Sequence, residues 1–260
     1  MKLLRLAFLM LVALISGQAA LADDRPVVAA AASLQFALTE AADVFTAETG
    51  RKVRLSFSSS GSLFRQIQQG APYEVFLSAD EAFVLDLAAK GLTANGEGDI
   101  YATGRLAILV PEGGSVEADG SLAGLAAAIE DGRLKRFAIA NPELAPYGHA
   151  AEEALRHAGL WEKVRGFLVT GENISQAAQF VSSGNAQAGL VSLSLARAPG
   201  LTETTQYALV PEEWHKPLRQ RMTLVGQPGE TARVFYAFLL DRTARDIFER
   251  YGYAPAGAAM

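Results

Sequence analysis

Short apolar runs alternate with stretches of helical spacing along almost the whole chain, and this rhythm restricts the fold more than any other feature. Pro26 to Ala31 is a compact run of strand length. Ser33 follows, and Leu34, Leu38, Ala41, Ala42 and Phe45 then recur at helical steps up to Gly50, the pattern of an amphipathic helix with a glycine stop. Val53, Leu55 and Phe57 alternate as in a strand, Ser58 to Gly61 is a loop, and Ser62 to Gln69 reads as a short helix closed by Gly70. Glu74 to Leu77 and Asp80 to Lys90 repeat the strand–helix pair. Three such units in succession predict a parallel sheet with helices packed on it.

The rhythm returns after a break. Arg105 to Val110 is a predicted strand, ended by Pro111-Glu112-Gly113-Gly114, and Ser121 is the predicted cap of a helix reaching Glu130. Strands at 136–140, 166–170 and 188–192 then alternate with helices at 148–157 and 174–183, and a strand at 221–225 precedes two final helices. Tyr101 to Gly114 and Gln220 to Gly229 are the stretches that could carry the chain between two lobes. The prediction is an α/β chain in two lobes, each a mainly parallel sheet flanked by helices, joined by two hinge crossings. The first lobe is then discontinuous, 23–105 plus 220–260, and the second is 106–219. Ligand pockets favour such interfaces.

The first 22 residues read as an export signal: Lys2 and Arg5, an apolar stretch from Leu6 to Ile15, and small residues closing at Ala20-Leu21-Ala22. The apolar run is short for a membrane span, which needs about 20 residues. Cleavage after Ala22 would remove Lys2 and Arg5 and leave a chain more acidic than the full-length net of −5. That balance argues against a general nucleic-acid binder. With no cysteine, disulfides, thiolate nucleophiles and thiolate metal sites are excluded.

The chemistry-bearing feature is a set of neutral donors at predicted helix starts. Ser33, the loop Ser58-Ser59-Ser60-Gly61-Ser62, Tyr147-Gly148 and Asn173-Ile174-Ser175 each follow a predicted strand. The first N–H groups of a helix lack internal partners, and the macrodipole adds partial positive charge there. Four such starts, two from each lobe, fit one small tetrahedral oxyanion. Each piece alone also reads as an ordinary cap or turn. A hydrolase is the competing reading of the serines, but no Gly-x-Ser-x-Gly or Ser-x-x-Lys occurs. His149 and Glu153 stand four apart on a predicted helix without a second metal-binding histidine. Donors alone favour a fully deprotonated anion over hydrogen phosphate. Glu143 and Glu172 lie near these loops, and molybdate, sulfate and thiosulfate remain open at this point.

Ala30-Ala31-Ala32-Ser33-Leu34, Ser56-Phe57-Ser58-Ser59-Ser60-Gly61, Arg65-Gln66-Ile67, Gly70-Ala71-Pro72 and Val75 to Asp80 occur in this order. Asn141-Pro142-Glu143-Leu144-Ala145-Pro146-Tyr147-Gly148, Gly189-Leu190-Val191-Ser192 and Phe248 to Tyr253 follow. Together they resemble the periplasmic molybdate-binding proteins of ABC importers over essentially all of the chain after residue 22. The resemblance implies a two-lobed periplasmic binding protein fold that closes on molybdate or tungstate and delivers it to a membrane permease with its ATPase. It implies a monomeric receptor, not an enzyme, with no cofactor and no bare metal ion. Carried over by motif, Ser33 and Ser60 would bind through hydroxyl and backbone N–H, Tyr147 through its phenol, and Ile174 through backbone N–H. Some members place a ligand tyrosine where this chain has Ser192, and the tyrosine here sits at position 147 instead.

Overall fold

The computed structural model describes residues 25–256, so the expected export signal over 1–22 lies outside the described residues. β1 (Val27–Ala31) passes through a 3-10 turn, Ala32–Leu34, into α1 (Gln35–Thr49). Leu38, Ala41 and Phe45 form its buried face, and Gly50 ends it at φ 69° with its N–H bonded to Thr46 O, a left-handed conformation open to glycine. β2 (Arg54–Ser58), α2 (Ser60–Gln68), β3 (Val75–Ser78), α3 (Glu81–Ala89) and β4 (Asp99–Gly104) complete the first run. After Arg105 come β5 (Leu106–Pro111), α4 (Ala123–Glu130), β6 (Phe137–Ala140), α5 (Pro146–His157), α6 (Trp161–Val164) and β7 (Leu168–Gly171). α7 (Ile174–Ser182), β8 (Ala188–Ser192), α8 (Leu193–Ala196) and β9 (Thr205–Leu209) follow. The chain returns through β10 (Leu218–Leu224), α9 (Glu230–Phe238), α10 (Arg242–Arg250) and β11 (Ala254–Pro255).

Two sheets result, ordered β11-β4-β10-β3-β1-β2 and β7-β6-β8-β5-β9. Both are mixed, where the sequence pattern predicts mainly parallel sheets. β1 is parallel to β2 and β3, and β6 to β7 and β8. β10 is antiparallel to β3 and β4, and β5 to β8 and β9. The reason is connectivity: β5 and β10 enter their sheets straight from the other one, without the crossover helix that a parallel neighbour requires. The crossings are Arg105 and residues 210–217, and Arg105 Nη1 meets Glu212 Oε1 at 2.7 Å between them. The second crossing therefore precedes β10. The Gln227-Pro228-Gly229 turn leads into α9 within the first half.

Three helix starts differ from expectation, the first being α5, which begins at Pro146 rather than Gly148 and so takes in Tyr147. α2 begins at Ser60, with Ser59 as its cap. α4 is held by Asp119 rather than Ser121: Oδ1 accepts from Ser121 N and Oδ2 from Gly124 N. A carboxylate reaches both donors, which a hydroxyl cannot. Ala31, Ala32 and Ala79 of the first half pack into the same buried cluster as the second sheet, so the halves meet at these small residues. Among the described residues no helix is long and apolar enough to cross a membrane.

Candidate anion site

Ser33 lies in the turn before α1, Ser60 is the first residue of α2, Tyr147 the second of α5, and Ile174 the first of α7. All four line one cavity of about 10 Å³, with Ala31, Ala32, Ser58, Ser59, Ala79, Ala145 and Pro146. Every lining side chain is neutral. Glu143 and Glu172 are exposed and stand outside the lining.

Local capping explains why backbone donors remain available. Ser59 Oγ accepts from Ser62 N at 3.3 Å, and Asn173 Oδ1 from Gln176 N at 3.1 Å. Both caps engage third-residue N–H groups and leave the first N–H of each helix without an intrahelical partner. Pro146 opens α5 with no side-chain cap. Gly148 relieves crowding, since a Cβ there would stand 2.4 Å from Ala140 O.

Three hydroxyls complete the donor set. Ser60 Oγ accepts from Ala79 N at 3.0 Å and keeps its own proton to give. Ser33 Oγ is buried with no hydrogen-bond partner, an arrangement native proteins rarely leave unmet. Tyr147 Oη accepts from Gln220 Nε2 at 3.0 Å. Burial, reinforced by the nearby Tyr253 phenol, pushes Tyr147 well above the ordinary tyrosine value of 10.0, and the Gln220 amide and the nearby Ser33 side chain offset this only in part. Burial does the same to Tyr101, and raises Tyr253 to about 12. Phenols held neutral in the fold, but ionising near 10 when unfolded, leave stability flat below that pH and lower it above. Burial and the Asp99 carboxylate beside it also push Tyr236 up, so an ultraviolet titration is expected to show four of the seven tyrosines ionising only together with loss of far-ultraviolet dichroism.

The two halves also bond directly around the cavity. Ser175 Oγ donates to Ala32 O at 3.0 Å, Gly61 N to Leu144 O at 2.8 Å, and Ser194 Oγ to Ser33 O at 2.8 Å. Tyr253 Oη also donates to Ser33 O, at 2.9 Å. Ser192 Oγ caps α8 through Leu195 N at 3.3 Å and is not part of the lining. None of the three histidines lines the cavity either. His149 pairs with Glu153 at 3.2 Å, His157 stacks on Trp214, and His215 Nδ1 contacts Lys216 O. The serines of the lining therefore have no imidazole base beside them. Sequence reasoning missed Gln220, Tyr101 and Tyr253, which stand behind the lining and come from distant strands and turns.

A model of the bacterial extracellular solute-binding protein family matches residues 26–254. The molybdate-binding protein ModA of Azotobacter vinelandii is 35% identical over 228 residues, 87% of this chain and 88% of that protein. ModA of Rhodobacter capsulatus is 35% identical over 244 residues, 93% of each chain. Among solved structures, the periplasmic molybdate-binding protein of Azotobacter vinelandii superposes with a TM-score of 0.80 at 28% identity, covering 89% of this chain and 100% of that one.

Proposed function

The chain belongs to the bacterial extracellular solute-binding protein family, and from that premise we propose that it is a periplasmic receptor for molybdate, the solute named for the relatives above. The observation that carries this reading is the small cavity where four helix starts converge, lined by neutral residues and holding the unpartnered Ser33 hydroxyl. Ser33, Ser60 and Tyr147 give hydroxyl donors, and Ser33, Ser60 and Ile174 give backbone N–H groups. Tungstate, of equal charge and shape, is the second ligand.

The energetics suffice without a cation. A hydrogen bond to a charged group contributes about 1.5–3 kcal/mol net, and micromolar binding needs roughly 8 kcal/mol. Five or six aimed donors reach that after the ordering cost of closure. Because donors come from both halves, the ion favours the closed arrangement over an open one. The receptor acts as a monomer after export, passes its ligand to a membrane permease with its ATPase, and catalyses nothing itself. The test is titration calorimetry with molybdate, tungstate, sulfate and hydrogen phosphate in turn. Molybdate and tungstate are expected to bind at micromolar concentration or below, sulfate more weakly and hydrogen phosphate most weakly. Absence of molybdate binding, or a preference for phosphate, would overturn the proposal.

A further inference from the structure

Behind the cavity, three buried side chains form a directed run of hydrogen bonds that ends on Tyr147. Tyr101 Oη donates to Gln220 Oε1 at 2.8 Å, and Gln220 Nε2 donates to Tyr147 Oη at 3.0 Å. Gln220 has no exposed surface. Direction is set at the far end. The alternative acceptor for Tyr101, Ser78 O, is 3.4 Å away, too long to compete with a 2.8 Å contact. The Tyr101 proton therefore goes to the Gln220 oxygen, and the amide nitrogen faces Tyr147. A phenol gives one proton and accepts at its oxygen. With an amide N–H on its acceptor side, Tyr147 is left to donate toward the cavity. Ser60 Oγ is likewise occupied by Ala79 N, so two of the three cavity hydroxyls have their acceptor side engaged.

The backbone is shaped for this arrangement. The β10–β4 ladder steps from Gln220 opposite Ala102 to Arg221 opposite Ile100. Tyr101 is thus the extra residue of a bulge, a device that re-aims side chains. Gly104 clears the space: a Cβ there would stand 2.1 Å from Tyr147 Oη and 2.6 Å from Gln220 Nε2.

We infer that Gln220 is a specificity-determining positioning residue, fixing the Tyr147 hydroxyl as a donor and thereby biasing the site toward fully deprotonated oxyanions over hydrogen phosphate. This deepens the receptor reading and rests on it. Gln220 does not line the cavity and acts through Tyr147. In Gln220→Glu a carboxylate accepts from both phenols, draws the Tyr147 proton away and turns an oxygen lone pair toward the ligand. Its charge repels molybdate and hydrogen phosphate alike, since both are dianions, so the ratio of their affinities isolates the direction of the hydroxyl.

The experiment measures that ratio at about pH 8, where phosphate keeps one proton, with molybdate by direct calorimetry and hydrogen phosphate by displacement. Gln220→Glu is expected to lower the molybdate preference about tenfold. Gln220→Met and Tyr101→Phe, which loosen the run without reversing it, are expected to lower it about threefold. A fall of at least that size in any folded variant supports the inference, and a smaller one in every folded variant overturns it, even where overall affinity drops. Failure of the unaltered protein to bind molybdate or tungstate would instead overturn the receptor reading and this inference with it.

Discussion

Gly61→Val is expected to abolish tight molybdate binding while leaving the fold intact. Gly61 sits in the first turn of α2, and its N–H donates across the cleft to Leu144 O at 2.8 Å. A Cβ at this position would stand 2.6 Å from Leu144 O and 3.1 Å from Leu144 Cα. Both partners are backbone, so no rotamer change relieves the overlap, and packed interiors tolerate little added volume. Gly61 is helical rather than left-handed, and valine is no worse than glycine as a helix residue. The clash is confined to the closed arrangement, and the variant escapes it by holding the halves apart. Separation divides Ser33 and Ser60 from Tyr147 and Ile174. Losing even two charge-assisted hydrogen bonds costs about 3–6 kcal/mol, so affinity is expected to fall by a hundredfold or more. Calorimetry reads the affinity, and thermal melting of the ligand-free protein checks the fold. Wild-type affinity in a normally melting variant would show that closure does not bring Gly61 against Leu144.

The same contrast between local and distant information explains what the sequence could reveal. The positions of Ser33, Ser60, Tyr147 and Ile174 near helix starts were legible because each follows an apolar strand and precedes helical spacing, although the first residue of α2 and its Ser59 cap were not. Their convergence on one cavity follows from every start lying at the same end of a strand. The sense of β5 and β10 was not legible, because an apolar run of strand length reads alike in either direction and only connectivity decides. The extent of β10 was missed for a related reason. Reading the strand from Arg221 hid the alternation Leu218, Gln220, Met222, all buried on one side. That parity is the one signal that could have marked Gln220 as an inward polar group. Tyr101 and Tyr253 carried no such mark, since a buried tyrosine shows its hydroxyl partner only once distant segments meet.

Ser33 and Ser60 are expected to part company when each is changed to alanine. Either change removes a hydroxyl donor from the cavity and should weaken molybdate binding by about 1.5–3 kcal/mol. The double variant should lose roughly twice that, subject to coupling through the shared ion. Stability without ligand should diverge. Ser60 Oγ satisfies the N–H of Ala79, a residue only 1% exposed. Ser60→Ala strands that donor at about 1–3 kcal/mol, a fall in Tm of roughly 2–4 °C per kcal/mol for a chain approaching this size. Ser33 Oγ satisfies no protein group. The Ser33 backbone carbonyl stays anchored by Tyr253 and Ser194, so Ser33→Ala should leave the ligand-free Tm undiminished. Added molybdate should raise the Tm of both variants less than that of the unaltered protein, by an amount set by the remaining affinity. Equal ligand-free melting of the two variants would refute the distinct roles assigned to the hydroxyls. Unchanged binding in Ser33→Ala would remove that serine from the donor set.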